Sequence, residues 1–239
     1  MYQLKNILIM AIGCALLAVS ARAASTDEIF ASSLGDISAL GARYRAEGTF
    51  AGAQSAIPPD VATTAQAQLK LGNTGLVLPG IYRGAMPYGA SDYRALAALG
   101  IDTVVNLRYL KTDADSAKYC AANDFDCEQY RLMLLPAQDK YFDWDTFKHA
   151  FRFIVYAHQA GHKVYIHCLH GSDRTGAMAA ALTVRAAACG GQFDKAALWN
   201  KVDGDLKAHN FHMVYASLYA GIKDMVYKFD ENREWLCAK

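Results

Sequence analysis

The sequence lacks the features that mark several large classes of protein. Its 24 Lys and Arg residues nearly balance its 23 Asp and Glu residues, so it has no basic excess of the kind that nucleic-acid-binding proteins carry. It has no long run of one charge, and a hydrophobic content of 53% excludes a disordered chain. Six cysteines are too few for a small disulfide scaffold, and none has zinc-finger spacing. We therefore expect a globular protein with no nucleic-acid partner, metal site or cofactor.

The first 23 residues have the layout of a secretory signal peptide. A short start containing Lys5 precedes an uncharged apolar run over 7–19, which is shorter than the roughly 20 residues of a membrane span. Small residues at Ala21 and Ala23 then form a cleavage site. This predicts cleavage after Ala23 and a periplasmic or secreted protein without stable membrane insertion. An uncleaved anchor, or a lipoprotein cut before Cys14, remains open.

The remaining chain divides into an extension and one domain. Residues 24–72 are rich in Ala, Gly, Ser and Thr, which predicts a loosely packed N-terminal extension, and residues 73–239 form the predicted domain. In the domain, apolar runs typical of strands alternate with helical patterns, which predicts an α/β fold with a mainly parallel central sheet flanked by helices. The predicted strands are 76–78, 81–83, 101–107, 127–135 and 163–167; the predicted helices are 92–99, 112–123, 145–159, 174–189, 193–202 and 210–227.

One segment, residues 164–176, carries the chemistry. It reads as a strand, a tight loop and the start of a helix, an arrangement that directs backbone N–H groups and a helix dipole at a bound anion. Gly171 allows the backbone to turn, and the planar guanidinium of Arg174 matches two phosphate oxygens. Cys168 would lie in this positive field, which favours its thiolate and makes it a candidate in-line nucleophile.

This segment resembles the signature of the cysteine-dependent protein tyrosine phosphatase superfamily. The matching residues are His167-Cys168, five further residues, and Arg174-Thr175. Residues 81–87 and 99–108 resemble its bacterial dual-specificity-like branch, and the likeness covers about 76–225. The resemblance implies the dual-specificity phosphatase fold without a cofactor. It also implies a phosphate-binding loop made of Cys168, Leu169, His170, Gly171, Ser172, Asp173 and Arg174.

The resemblance also implies a role for each motif residue. Cys168 would attack phosphorus to form a cysteinyl-phosphate, while Arg174 and the loop N–H groups stabilise the phosphoryl oxygens. Thr175 would assist the second step through a hydrogen bond to the cysteine, and His167 would tune the thiolate. The expected activity is that of an exported phosphomonoesterase acting on phosphotyrosine- or phosphoserine-type esters, in a phosphorylated protein or a small phosphoester.

The general acid is expected on a separate upstream loop, and the family's Trp-Pro-Asp triplet is absent. Asp139 is the preferred candidate and Asp143 the second, because Asp145 is placed to cap the following helix. The neighbouring aromatic residues Tyr141, Phe142 and Trp144 either line a substrate pocket or belong to the core.

Other features leave alternatives open. Asp173 is an unusual acid for an anion loop; a similar Asp-Arg-Thr ending in phosphoinositide-directed relatives raises the alternative of a phosphoinositide or inositol-phosphate phosphatase, and otherwise Asp173 caps the next helix. A catalytically silent phosphate-binding module and a redox protein are further alternatives. Arg83 and Arg108 either border the pocket or form surface ion pairs.

Without the leader the chain keeps five cysteines. An odd number in an exported protein suggests that one thiol stays free, and we expect this to be Cys168. Bridges between Cys120 and Cys127, and between Cys189 and Cys237, are predicted, although four cysteines allow three connectivities.

Overall fold

The computed structural model describes residues 71–109, 114–135 and 138–238. The predicted leader and all but the last two residues of the predicted extension lie outside these ranges. The strands are β1 Gly75–Leu78, β2 Ile81–Gly84, β3 Thr103–Asn106, β4 Asp126–Gln129 and β5 Val164–His167. The helices are α1 Gly89–Ala98, α2 Ala114–Ala122, α3 Trp144–Gln159, α4 Asp173–Ala188, α5 Lys195–Ala208, α6 Ala216–Tyr227 and α7 Phe229–Leu236, with a 3₁₀ turn at Asp139–Tyr141.

The five strands form one sheet in the order β1-β2-β5-β3-β4. Only β1 is antiparallel, paired with β2 through the turn at Pro79 and Gly80; the other pairings are parallel. All four residues of β5 are buried, as expected for the central strand of a covered parallel sheet. This arrangement confirms the predicted α/β fold class.

Strand β5 ends between two parallel neighbours. His167 is in register with Gly84 at the end of β2 and with Asn106 at the end of β3. The chain then leaves the sheet and enters α4 through residues 168–172. The carboxyl edge of the central strands is where ligands bind in open α/β sheets, so the motif of the sequence lies at the expected edge.

Two predicted elements near this edge have different bounds. The strand predicted at 127–135 is β4, which ends at Gln129, in register with Asn106 at the end of β3, its partner among the described strands. The helix predicted at 210–227 begins only at Ala216, and a second helix, α7, follows it. Residues 209–215 instead form a connection between α5 and α6, which we call the 209–215 connection.

The start of α3 corrects another prediction. Asp143, not Asp145, is the N-cap of α3: its carboxylate accepts hydrogen bonds from the backbone N–H of Thr146 (2.9 Å) and from the Thr146 hydroxyl (2.7 Å). Asp145 lies in the first turn, 3.5 Å from the Lys148 ammonium. Within one helix, the residue just before the first turn is the one whose side chain can accept these N–H groups.

The aromatic residues near α3 divide between core and surface. Phe142 is buried, and its ring packs edge-on against Trp144 and Phe147, with centroids 5.0 and 5.7 Å apart. Tyr141 is 67% exposed. The core interpretation is therefore right for Phe142, whereas Tyr141 lies on the surface.

Both predicted disulfides are present. Cys120 in α2 bonds to Cys127 in β4, and Cys189, after α4, bonds to Cys237 at the end of α7. Cys168 is the free cysteine of the described ranges. None of the described helices has the length and apolar character needed to cross a bilayer.

Candidate active site

Cys168 lies between the end of β5 and the start of α4, and only 3% of its surface is exposed. The loop formed by residues 168–174, called here the 168–174 loop, curves from this thiol to the first turn of α4. The His167 carbonyl before it accepts a hydrogen bond from the Leu107 N–H (2.8 Å). Cys168 is therefore held at the mouth of a helix N-terminus, where the dipole favours negative charge.

Three consecutive carbonyl groups of the loop are held from outside. Leu169 O accepts from the Met86 N–H (3.1 Å), His170 O from the Asn73 amide (2.7 Å), and Gly171 O from Arg83 Nη2 (2.9 Å). In a trans peptide unit the N–H points opposite to the C=O. The N–H groups that follow these carbonyls therefore face the inner side of the loop, which is the geometry of an anion-binding nest.

Gly171 permits this course of the backbone. Its φ is +73°, in the left-handed region that glycine adopts without steric cost. A Cβ here would lie 2.6 Å from Gly84 O and 2.7 Å from Ala85 N, which are backbone atoms at the end of β2. The loop thus packs directly on the β2 backbone, and no side chain fits between them.

Arg83 supports the loop from beneath. Its side chain is 1% exposed and pairs with Asp205 of α5 at 2.5 Å. Burial lowers the pKa of Arg83, while the negative charges of Asp205 and Cys168 act to raise it. Arg83 forms the ion pair that was one of the two expectations, but its guanidinium is buried rather than at the surface, and it also holds the outer side of the 168–174 loop. Arg108, in contrast, is half-buried and contacts the Met86 sulfur.

Arg174 and Thr175 carry donors without protein partners. Arg174 Nη1 donates to Leu132 O (3.1 Å), whereas Arg174 Nε and Thr175 Oγ1 are buried and make no hydrogen bond within the described part of the chain. Buried donors are rarely left unsatisfied in native proteins. Their position in the first turn of α4, where the 168–174 loop ends, is suited to an anion held in the loop.

His167 is a buried neutral imidazole. Its Nδ1 lies 3.0 Å from Cys168 O, and because a carbonyl oxygen only accepts, Nδ1 carries the proton. Burial lowers its pKa from 6.5 to about 4, and the charge of Arg108 acts in the same direction, while the bond to the Cys168 carbonyl opposes them. His167 therefore fixes the backbone at the thiol without adding a positive charge there.

This buried histidine makes stability depend on pH. The unfolded chain takes up the His167 proton near pH 6.5 and the folded chain only near pH 4. The contribution of the neutral His167 side chain to the unfolding free energy is therefore complete above pH 6.5. It is lost as the pH falls towards 4, which lowers the unfolding free energy by about 3 kcal/mol. The unfolding free energy, measured with denaturant at several pH values across this window, should depend less steeply on pH in His167→Asn than in the wild type. The exposed control His170→Asn should leave this pH dependence unchanged. Equal slopes in wild type and His167→Asn would contradict the buried neutral state.

Asp173 is paired rather than capping the helix through its side chain. Its Oδ1 accepts the backbone N–H of His212 (2.7 Å), and its Oδ2 lies 3.0 Å from His212 Nδ1. Both oxygens are thus occupied by the 209–215 connection. An acid is tolerated in the loop because its carboxylate is hydrogen-bonded to His212 and not directed at the anion-binding N–H groups.

Asp139 lies at a different helix start. Its Oδ2 accepts the N–H groups of Ser217 (2.6 Å) and Leu218 (3.1 Å) in the first turn of α6, and the residue is buried. Tyr215, just before α6, has a phenol pKa raised by partial burial and by the negative charges of Asp173, Asp139 and Cys168, against the effect of Arg174. The pKa of Tyr215 is thus affected both by Asp139 and by charged residues of the 168–174 loop. Asp143, in contrast, is exposed and accepts hydrogen bonds from Thr146.

Several residues of the site were not found from the sequence. Asn73, Asp205, Asn210 and Tyr215 reach the loop or its surroundings from distant parts of the chain. Asn73 adopts φ 54°, for which asparagine is enriched, but this identifies a turn and not a partner. Residues 168–175 form the loop after β5 and the start of α4, and the negative charges of Asp139 and Cys168 both act on the Tyr215 phenol.

The fold and this loop define a phosphatase class, and comparison with known proteins agrees. A family model described as "Tc-R-P: Polymorphic toxin system, DSP-PTPase phosphatase" matches residues 79–188. The match covers less than half of the chain, and it indicates a dual-specificity-type phosphatase domain in residues 79–188. No curated protein matches it.

Several solved structures are similar to this chain at low sequence identity. A mutant form of Tk-PTP has 16% identity and a TM-score of 0.50, over 66% of this chain and 97% of that one. The core catalytic domain of a PP-IP phosphatase from S. cerevisiae has 13% identity and a TM-score of 0.48, over 69% and 94%. TpbA from P. aeruginosa has 22% identity and a TM-score of 0.40, over 63% and 90%.

Proposed function

We propose that the chain hydrolyses phosphate monoesters in two steps, with Cys168 as nucleophile. The observation that carries the proposal is a free, buried thiol at the start of a loop whose carbonyls are held outwards. In the first step Cys168 Sγ attacks phosphorus, an S–P bond forms and the ester P–O bond breaks. In the second, water attacks phosphorus, the S–P bond breaks and phosphate leaves.

The loop supplies the charge stabilisation. The non-bridging phosphoryl oxygens accept hydrogen bonds from the inward N–H groups and from the unpartnered Nε of Arg174. Such donors act best when they are fixed before the reaction. The orphan Thr175 hydroxyl donates to Cys168 Sγ as the S–P bond breaks. His167 stays neutral and holds the Cys168 carbonyl.

Asp139 acts as general acid and then as general base. Since Oδ2 already accepts two N–H groups, the transferred proton resides on Oδ1. It passes to the leaving oxygen in the first step and returns from water in the second. Asp143 is less suited, because both its carboxylate oxygens cap α3.

Leaving-group dependence tests this assignment. We expect Asp139→Asn to lower kcat/KM for phenyl phosphate roughly 100-fold, and far less for dinitrophenyl phosphate, whose leaving group needs no proton. The matched control is Asp143→Asn, which keeps a good N-cap residue for α3 and should leave the dependence on the leaving group unchanged. The reverse pattern would assign the acid to Asp143.

The supported substrates are phosphotyrosine- or phosphoserine-type esters of a protein or small molecule. A phosphoinositide or inositol-phosphate phosphatase on the same scaffold is the second candidate, based on the ending Asp173-Arg174-Thr175; the Asp173 carboxylate itself is paired with His212. Comparing phosphate release from a phosphotyrosine peptide and from inositol phosphates separates the two; inositol phosphates turned over at the higher kcat/KM would favour the alternative. Vanadate competition distinguishes phosphatase from redox chemistry.

Export is part of the proposal. Two disulfides are typical of oxidising compartments, and the predicted leader provides a route out of the cytoplasm. The polymorphic toxin system named in the matched family is consistent with a secreted or periplasmic phosphatase.

A further inference from the structure

Asn73 makes an unusual set of contacts to the 168–174 loop. Its amide nitrogen donates to His170 O (2.7 Å) and to Ser172 Oγ (2.9 Å), and its Oδ1 accepts from the Asn210 amide (2.7 Å). An amide group has two N–H donors, and both are directed at the loop. The residue lies just before β1, outside the motif, and is about a hundred positions away in sequence.

The bond to His170 O fixes one particular peptide unit. This carbonyl belongs to the same planar unit as the Gly171 N–H, so holding the carbonyl outwards directs that N–H inwards. The neighbouring carbonyls have other supports, the Met86 N–H and the Arg83 guanidinium. The 170–171 unit depends on Asn73, and Gly171 is the residue with the fewest steric restraints on its own rotation.

We propose that Asn73 is a positioning residue for anion binding: it orients the Gly171 N–H and anchors Ser172, the last residue before α4. This role rests on the proposed function, because it requires the loop to hold a phosphoryl group. It adds a residue that touches no substrate and acts through the backbone. Asn210 stabilises Asn73 in turn, so the 209–215 connection reaches the loop on this side as well as through His212 and Asp173.

Two substitutions separate the side chain from the backbone conformation. Asn73→Gly removes the amide but tolerates φ 54°. Asn73→Asp keeps the shape and the acceptor for Asn210 but removes both donors. In each we expect the inhibition constant of inorganic phosphate, measured against an aryl phosphate, to rise roughly 10- to 100-fold. The melting temperature should change little, since the contacts lie at the surface of the loop.

A matched control and a second readout make the test decisive. Asp124→Gly, at an exposed residue with φ 56° between α2 and β4, makes the same kind of backbone change away from the 168–174 loop and should change the inhibition constant less than about threefold. The ratio of Cys168 alkylation rates by iodoacetate and iodoacetamide should fall in both Asn73 variants, because only the anionic reagent is attracted by the inward N–H groups. The ratio is measured on protein shown to be folded by circular dichroism, because an unfolded chain is also alkylated at Cys168.

The outcomes are distinct. An unchanged inhibition constant and alkylation ratio in Asn73→Gly and Asn73→Asp, with or without a lower melting temperature, would show a structural role only and overturn the proposal. If inorganic phosphate did not inhibit turnover by the wild-type protein, this would instead overturn the proposed function on which the role of Asn73 rests.

Discussion

Cys168→Ser should reduce turnover of an aryl phosphate roughly 10⁴-fold or more while the fold is retained. A serine hydroxyl is not ionised in a site prepared for a thiolate, so the nucleophile is lost. Cys168 makes no disulfide, and serine is close to it in size, so packing around the loop should persist. Steady-state kinetics measures the loss of turnover, and circular dichroism measures whether the fold is retained.

The chain offers matched controls for this substitution. The double variant Cys120→Ser/Cys127→Ser removes a bridge that closes a seven-residue separation, and should cost about 2 kcal/mol of unfolding free energy with activity retained. Turnover retained in Cys168→Ser would show that the reaction does not use this thiol.

Gly171→Ala should have the second largest effect. The added Cβ meets the backbone of Gly84 and Ala85 at less than 3 Å, and backbone atoms of a central strand cannot move aside cheaply. We expect a loss of roughly 3 kcal/mol or more in unfolding free energy, and at least a 100-fold loss in kcat/KM in the folded fraction because the loop N–H groups are displaced.

Gly89 is the control for this change. Its φ of +75° nearly equals that of Gly171, but a Cβ there meets no atom within 4 Å. Gly89→Ala therefore measures the conformational cost alone, about 1 kcal/mol, with activity unchanged. If both variants behaved alike, the close contact between the loop and β2 would not be what makes Gly171 necessary.

The sequence predicted those parts that local signals determine. Residues 164–176 combine an apolar strand, a glycine turn and a helix start within one continuous segment, so the loop and its residue types could be read directly. The disulfides were also predictable, because few cysteines remained once Cys168 was assigned. The predicted parallel sheet followed from alternating strand and helix patterns.

The rest depends on contacts between distant residues. The end of β4 is in register with the end of β3, and the start of α6 coincides with the carboxylate of Asp139, contributed by the distant 3₁₀ turn. Arg83 gave the appearance of a surface or pocket residue because its partner Asp205 lies 122 positions further on. Asn73 likewise carries no local sign of its loop contact. Side-chain supports of this kind become visible only once the fold brings them together.

The central claim is tested most directly by locating the phosphoryl group during turnover. The protein is mixed with an aryl phosphate, quenched with acid within the first turnover, digested and examined by mass spectrometry, with Cys168→Ser as the blank. The account predicts one phosphoryl group on Cys168 in the wild type and none in the variant. A phosphoryl group on another residue, or turnover without any phosphoryl enzyme and undiminished in Cys168→Ser, would contradict it.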